Sequence, residues 1–252
     1  MKRTIANIAM TACLLLSAGQ VSAGEQGEGL QLKARAAYSI GGTAPIGIPA
    51  TIRSIDAFRL TPSFMVGLDV ALPLKEKWGL NTGLHFENKA MDADVTTKAY
   101  RMELKKSTDR INGLFTGKVN QEVTEWMLTL PVQATYQLND KLTLKAGPYL
   151  SLLLSKDFSG IASDGYIRQG DPTGPKIIIG NKEGEWATYD FSDDMRTLQF
   201  GVGAGIDWLF CKNIGLSAHL NWGLTDIFKS DFKTVEQTLY PIYGTIGVFY
   251  RF

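Results

Sequence analysis

The chain is predicted to be all-β: an eight-stranded antiparallel up-and-down transmembrane β-barrel with short periplasmic turns and long extracellular loops. Three observations predict it. Apolar residues recur at every second position in segment after segment, while helical spacing is almost absent. The connections between these segments alternate between short and long, as in outer-membrane barrels. The N-terminus reads as an export signal.

In that signal, Lys2 and Arg3 precede the apolar stretch IANIAMTACLLLSAG, and VSAG supplies small residues for cleavage after Ala23. Residues 1–23 are therefore expected to be a secretory signal peptide and residues 24–252 the outer-membrane β-barrel domain. Cys13 goes with the signal, because the apolar run continues past it where a lipoprotein cysteine would close the run. Cys211 is then the only cysteine of the mature chain, which excludes an internal disulfide. Without Lys2 and Arg3 the chain has 24 basic against 25 acidic residues, so the basic excess that nucleic-acid binding needs is absent. No later run of eighteen apolar residues offers a transmembrane helix.

Eight segments alternate. Leu32 to Ile40 places Leu32, Ala34, Ala36, Tyr38 and Ile40 opposite Lys33, Arg35 and Ser39. Phe64, Val66, Leu68, Val70 and Leu72 then oppose Gly67 and Asp69, and Trp78, Leu80, Leu84 and Phe86 oppose Asn81, His85, Glu87 and Lys89. Trp126 to Leu138 is set against Glu125, Thr129, Gln133, Thr135 and Gln137. Leu142, Leu144, Ala146, Leu150, Leu152 and Leu154 face away from Lys145, Tyr149 and Ser151. Leu198 to Trp208 opposes Gln199, the glycines of GVGAG and Asp207; Ile214 to Leu224 opposes Ser217, His219 and Asn221. The eighth segment, YPIYGTIGVFYRF, alternates to the last residue.

PLKEK, NDK and FCKN make short turns, and the long connections run from Gly41 to Phe58, Ala90 to Val123, Lys156 to Met195 and Asp226 to Leu239. An even strand number puts both mature termini on the periplasmic side. A soluble barrel would turn its polar face to water and fill it with Lys and Glu. Here that face is mostly Gly, Ser, Thr, Asn and Gln, which suits a crowded interior. Aromatics at Tyr38, Trp78, Trp126, Tyr136, Trp208, Trp222, Tyr240 and Tyr250 fall where two interfacial girdles would lie.

Eight strands enclose only enough room for side chains. The inward polar set is Lys33, Arg35, Asp69, His85, Glu87, Lys89, Glu125, Lys145, Asp207, His219 and Arg251, and its charges nearly balance, as desolvated charges require. A structural ion-pair plug is expected rather than a conducting lumen. His85 with Glu87, and His219 with Asp207, would be the acid–base pairs of an enzyme, but no nucleophile spacing accompanies them. No zinc spacing, P-loop or dinucleotide fingerprint occurs, so no catalytic residue, metal or cofactor is expected. The glycines of GVGAG make room for a neighbouring side chain such as Tyr149 or Phe249.

The segments GGTAPIGIPATIRSID, GLHFENKAMDADV, LTLPVQATYQL, KAGPY, DGYIRQGDPTGPKI, ATYDFSDDMR and WGLTDIFKSDFKT resemble the PorT-like outer-membrane β-barrel proteins of Bacteroidetes over about Leu30 to Phe252. The resemblance implies an eight-stranded barrel in the outer membrane and no assigned activity. The member that names the group is linked to type IX secretion, a role that fold similarity does not transfer. The resemblance also implies that Tyr250 and Phe252 belong to a terminal signal read by the barrel-assembly machinery. Pro45 and Pro49 stiffen the first long connection, which is expected to fold over the mouth as a lid. The connection after Lys156, with Tyr166, Trp186, Tyr189 and Phe191, is expected to form ordered hairpins. The expected function is a structural or surface-interaction role without catalysis, in contact with outer-membrane lipid, lipopolysaccharide and an unidentified surface ligand or protein partner. The alternative is a narrow pore or an accessory component of an outer-membrane transport or secretion system.

Overall fold

The computed structural model describes residues 29–252 except 60, 107, 108, 233 and 236, so the expected signal peptide, residues 1–23, lies outside the described residues. Its strands are β1 Gln31–Pro45, β2 Ile52–Arg59, β3 Ser63–Pro73, β4 Trp78–Lys106, β5 Asp109–Asn139, β6 Leu142–Gln169, β7 Lys176–Ile179, β8 Ala187–Asp190, β9 Leu198–Leu209, β10 Ile214–Gly223 and β11 Leu239–Arg251. Eight of them close an antiparallel ring in the order β1, β3, β4, β5, β6, β9, β10, β11. β11 returns to β1 over a register from Lys33↔Arg251 to Pro45↔Leu239, and the Phe252 N–H donates to the Leu32 carbonyl at 3.1 Å. Each alternating segment of the sequence lies in one ring strand.

The ring is inside out relative to a soluble barrel. Lys145 is 3% exposed and Asp69 fully buried, whereas Leu84 is 53% exposed and Leu154 55%. The exposed apolar side chains form a belt between two aromatic groups. At the end of the short turns Trp78 packs on Tyr136 at 4.9 Å and Tyr250 on Phe252 at 5.1 Å. At the other end Phe64 and Phe86 pack on Trp126 at 5.5 and 5.4 Å. Trp126 pairs with Asn88, and the span from Trp78 to Asn88 along β4 is about 25 Å in height at roughly 3.3 Å per residue and roughly 40° tilt. That height matches the apolar band of a membrane barrel. Leu84→Arg, near the middle of the belt, is expected to destabilise the protein by about 2–4 kcal/mol in lipid vesicles. A change within ~0.5 kcal/mol, as at a water-exposed site, would contradict a lipid-facing belt.

Above the belt the strands do not stop. Ala90 to Val123, expected as a loop, is instead the continuation of β4 and β5, and β6 runs on to Gln169. Their alternation changes phase. Within the belt the inward residues of β4 and β5 are polar, Asn81, His85, Glu87, Lys89, Glu125 and Gln133. Beyond it Met91, Ala93, Val119 and Val123 are the buried residues, while Asp92, Asp94, Asn120 and Glu122 point outward. Lipid outside and polar packing inside give way to water outside and an apolar interior, so the same backbone needs the opposite pattern. β7 and β8 pair with β6, β8 also bridges to β4 at Lys105↔Thr188, and the curled sheet encloses a core of Met102, Leu104, Phe115, Phe158, Ile167, Tyr189, Phe191, Met195 and Phe228.

The first long connection is not a lid. β1 continues to Pro45, Ile46 and Ile48 are exposed, and β2 returns along β4 from Arg59↔Asp92 to Ile52↔Thr97. β3 starts at Ser63, which leaves the upper edge of β4 unpaired, and β2 takes the hydrogen bonds that this edge offers.

Candidate functional site in the barrel lumen

The inward rows bring side chains from six strands into one network. Arg35 of β1 is its centre. Its Nε and Nη2 donate to Asp69 Oδ2 on β3 at 3.0 and 2.7 Å, and its Nη1 and Nη2 donate to Asp207 Oδ1 and Oδ2 on β9 at 3.2 and 3.1 Å. Lys145 lies 3.0 Å from Asp207 Oδ2 and 3.8 Å from Asp69 Oδ2, and Lys33 lies 3.4 Å from Asp207 Oδ2. The planar fork of Arg35 thus spans both carboxylates, which a lysine ammonium cannot do with two parallel bonds.

The histidines complete this layer. His85 Nε2 is 2.7 Å from Asp69 Oδ1 and not on Glu87, which sequence proximity suggested. Glycine decides the pairing. Gly67 stands opposite His85 and Gly83 opposite Asp69, and a Cβ at either would collide with the side chain it faces. The two emptied positions let Asp69 and His85 meet diagonally across the strands. His219 Nε2 sits 3.5 Å from Asp207 Oδ1 and 3.2 Å from Arg35 Nη1, over Gly205.

A second layer lies nearer the hairpin end. Lys89 is 3.5 Å from Glu87, and its ammonium is 5.5 Å from the ring centres of both Tyr149 and Tyr243. Glu125 Oε1 accepts from Gln199 Nε2 at 2.7 Å. Gln199, Tyr149 and Tyr243 were absent from the expected charged set, although each sits in phase with it. Of the two aromatics suggested for the GVGAG glycines, Tyr149 fills the space over Gly201, whereas Phe249 packs over Gly215, outside that run. Thr129 and Ser151 hydroxyls pair at 2.8 Å, and Ser39 and Thr245 at 3.1 Å.

Arg251 is not in the network. Its Nη2 donates to the Lys212 carbonyl at 3.0 Å, in the turn between β9 and β10, and it lines an open recess at the turn end with Lys33 and Lys77. Without it, four lumen cations, Lys33, Arg35, Lys89 and Lys145, face four carboxylates, Asp69, Glu87, Glu125 and Asp207. Between the layers lies a cavity of about 30 Å³ lined by Arg35, His85, Lys89, Lys145 and His219, with room for about two waters. Each histidine shares its carboxylate with Arg35, and no hydrogen bond from a serine or cysteine side chain to either histidine is found among the described residues. The arrangement therefore offers charge compensation and cross-strand ties.

A closed ring with a lipid-facing belt and a polar, filled interior is the arrangement of a small membrane barrel, and the family comparison agrees. The model of the outer membrane protein beta-barrel domain matches residues 19–229. The chain belongs to this outer-membrane β-barrel family. Its members' domain name also places it in the outer membrane. Among solved structures, the family fold is similar to Ail, the attachment invasion locus protein of Yersinia pestis, in complex with the heparin analogue sucrose octasulfate: 11% identity, 88% of this chain and 97% of that chain, TM-score 0.38. It is similar to Neisserial surface protein A at 12% identity, covering 88% and 97%, TM-score 0.38. Acinetobacter baumannii CarO2 matches at 13% identity over 88% and 99%, TM-score 0.40. No curated protein matches this outer-membrane barrel.

Proposed function

We propose that this outer-membrane barrel is a non-catalytic surface-interaction protein of the PorT-like kind, in which the ring is a closed anchor and the hairpin region is the working part. In this reading the hairpins are extracellular and both termini periplasmic. The belt contacts outer-membrane lipid and lipopolysaccharide, and the hairpins meet a surface ligand or protein partner. One observation carries the proposal: the strands invert their polarity beyond the belt and build an apolar-cored region outside the membrane, above a lumen filled with paired charges. A barrel that served only as a wall or a pore would not need that core.

Planar-bilayer recordings are expected to show no steady currents of porin size. Protease added to intact cells is expected to cut within residues 170–185 and leave the barrel whole. Large steady currents would favour the narrow-pore alternative, for which the cavity between the two lumen layers is the supporting feature. Cleavage only after the outer membrane is breached would reverse the orientation.

Tyr250 and Phe252 are proposed as the end that the assembly machinery reads. Phe252 is 52% exposed, and its loss breaks the Tyr250 ring contact and one backbone bond to β1. Deleting it is therefore expected to leave a barrel that refolds in vesicles yet accumulates poorly in cells. Equal losses in both settings would make its role structural.

A further inference from the structure

The far end of the hairpin region carries a charge arrangement that sheet packing does not favour. On the solvent face of β5, opposite the buried Ile111 and Phe115, stand Arg110, Asn112 and Leu114. Their register partners share this face: Lys105 opposite Arg110, Glu103 opposite Asn112, and Arg101 and Arg168 on either side of Leu114. Lys176 of β7 then stands directly opposite Arg168. Lys105↔Arg110 and Arg168↔Lys176 are like charges directly opposed, an arrangement that destabilises a sheet.

Little on the protein offsets them. Glu103 takes Arg110 at 3.1 Å and Asn112 at 3.2 Å. Arg168 Nη1 donates to the Gly174 carbonyl at 3.1 Å, and Lys176 lies 4.1 Å over the ring of Tyr166, with Arg168 at 5.9 Å from the same ring. Both partners are uncharged. Asp171, in the adjoining turn, is already engaged by the Thr173 N–H and hydroxyl at 2.7 Å each. Tyr166 therefore holds two cations side by side, and among the described residues neither has a carboxylate bonded to it.

The same outer surface has the opposite sign nearer the belt, where Asp56, Asp92, Asp94, Glu122 and Asp157 point outward and Arg59 bridges Asp92 and Asp94. From Met91 to Lys105 the strand runs about 46 Å along its length, about 35 Å in height at roughly 40° tilt, so the basic face stands well clear of the lipid headgroups.

We infer that this face, formed by Lys105, Arg110, Arg168 and Lys176, binds an acidic polysaccharide bearing sulfate or carboxylate groups. The inference rests on the surface-interaction reading above and names its partner class. Within each pair neighbouring strands set two cations about 4.8 Å apart, and the two pairs lie four residues apart along β5, about 14 Å, so a flexible chain with charges repeated along it can span both. Duplex DNA suits the face poorly: it is stiff, its binders typically neutralise about 6–10 phosphates, and the acidic surface below would repel its flanks.

The test is binding of the full-length protein in lipid nanodiscs to dextran sulfate, with neutral dextran, polyglutamate and duplex DNA as comparators. Dextran sulfate is expected to bind with strong salt dependence, and neutral dextran not at all. The double variant Arg168→Gln/Lys176→Gln is expected to lose about tenfold or more in affinity, and Arg59→Gln to change it little. Heat-dependent gel mobility confirms that each variant is folded. Failure to bind dextran sulfate, equal binding by the double variant, or tighter binding of polyglutamate or DNA would overturn the inference. None of these outcomes touches the currents or protease cuts that test the surface-interaction reading itself.

Discussion

Arg35→Ala is expected to lower the stability of the barrel by about 3–5 kcal/mol, read as a shift in the denaturant midpoint of the protein in lipid vesicles. The guanidinium is 1% exposed and bonds both Asp69 and Asp207, which are themselves buried. Its loss leaves two desolvated carboxylates with Lys33, Lys145 and two histidines, none of which reproduces the paired fork. Arg35→Lys keeps the charge but cannot reproduce the four bonds to the two carboxylates, so an intermediate shift is expected. Arg59 gives the comparison: its side chain is 53% exposed and bridges Asp92 and Asp94 in water, so Arg59→Ala should shift the midpoint far less. An Arg35→Ala shift no larger than that of Arg59→Ala would show that the lumen charges are hydrated and carry no structural tie.

The ring was legible because one physical demand, lipid on one face, writes the same period-two pattern eight times. The inward charges were legible for the same reason, since Lys33, Arg35, Asp69, Glu125, Lys145 and Asp207 all fall on the phase opposite the leucines. Their partners were less so. His85 stands two residues from Glu87 on one strand, but its bond goes across the sheet to Asp69, through space left by Gly67 and Gly83. Chain proximity says nothing about diagonal neighbours until the register is known. Arg251 shares the inward phase yet sits at the turn end, where the long side chain finds the Lys212 carbonyl instead of a carboxylate. The upper halves of β4, β5 and β6 read as loops because the leucine row ended. The alternation did not end: in AMDADVTT the apolar residues Met91, Ala93 and Val95 take the phase that Glu87 and Lys89 held below. A phase inversion within an unbroken period-two run was the signal for strands leaving a membrane with their interior still closed.

Phe158→Ala is the substitution expected to separate the hairpin region from the ring. Phe158 is 2% exposed and packs edge-on to Phe228 at 4.9 Å, with Phe191 at 6.2 Å and Tyr189 at 6.4 Å. Its carbonyl accepts the Phe191 N–H at 2.8 Å, and its own N–H donates to the Ser192 hydroxyl at 3.1 Å, so the ring anchors the segment after β8 where both backbone bonds form. Truncating a buried phenylalanine costs about 3–5 kcal/mol. Where opening is local, that loss multiplies the open population by roughly 10²- to 10⁴-fold. Hydrogen exchange should then show faster exchange at Phe191, Met195 and Ile227, whose amides are bonded at this junction, and unchanged exchange in β10 and β11. The expected division follows from where the two cores draw their stability: the ring from lipid, backbone closure and the Arg35 network, the hairpin region from apolar packing in water. An equal rise of exchange in β10 and β11 would mean that the aromatic cluster is part of the ring's own folding unit, and that the two cores are one.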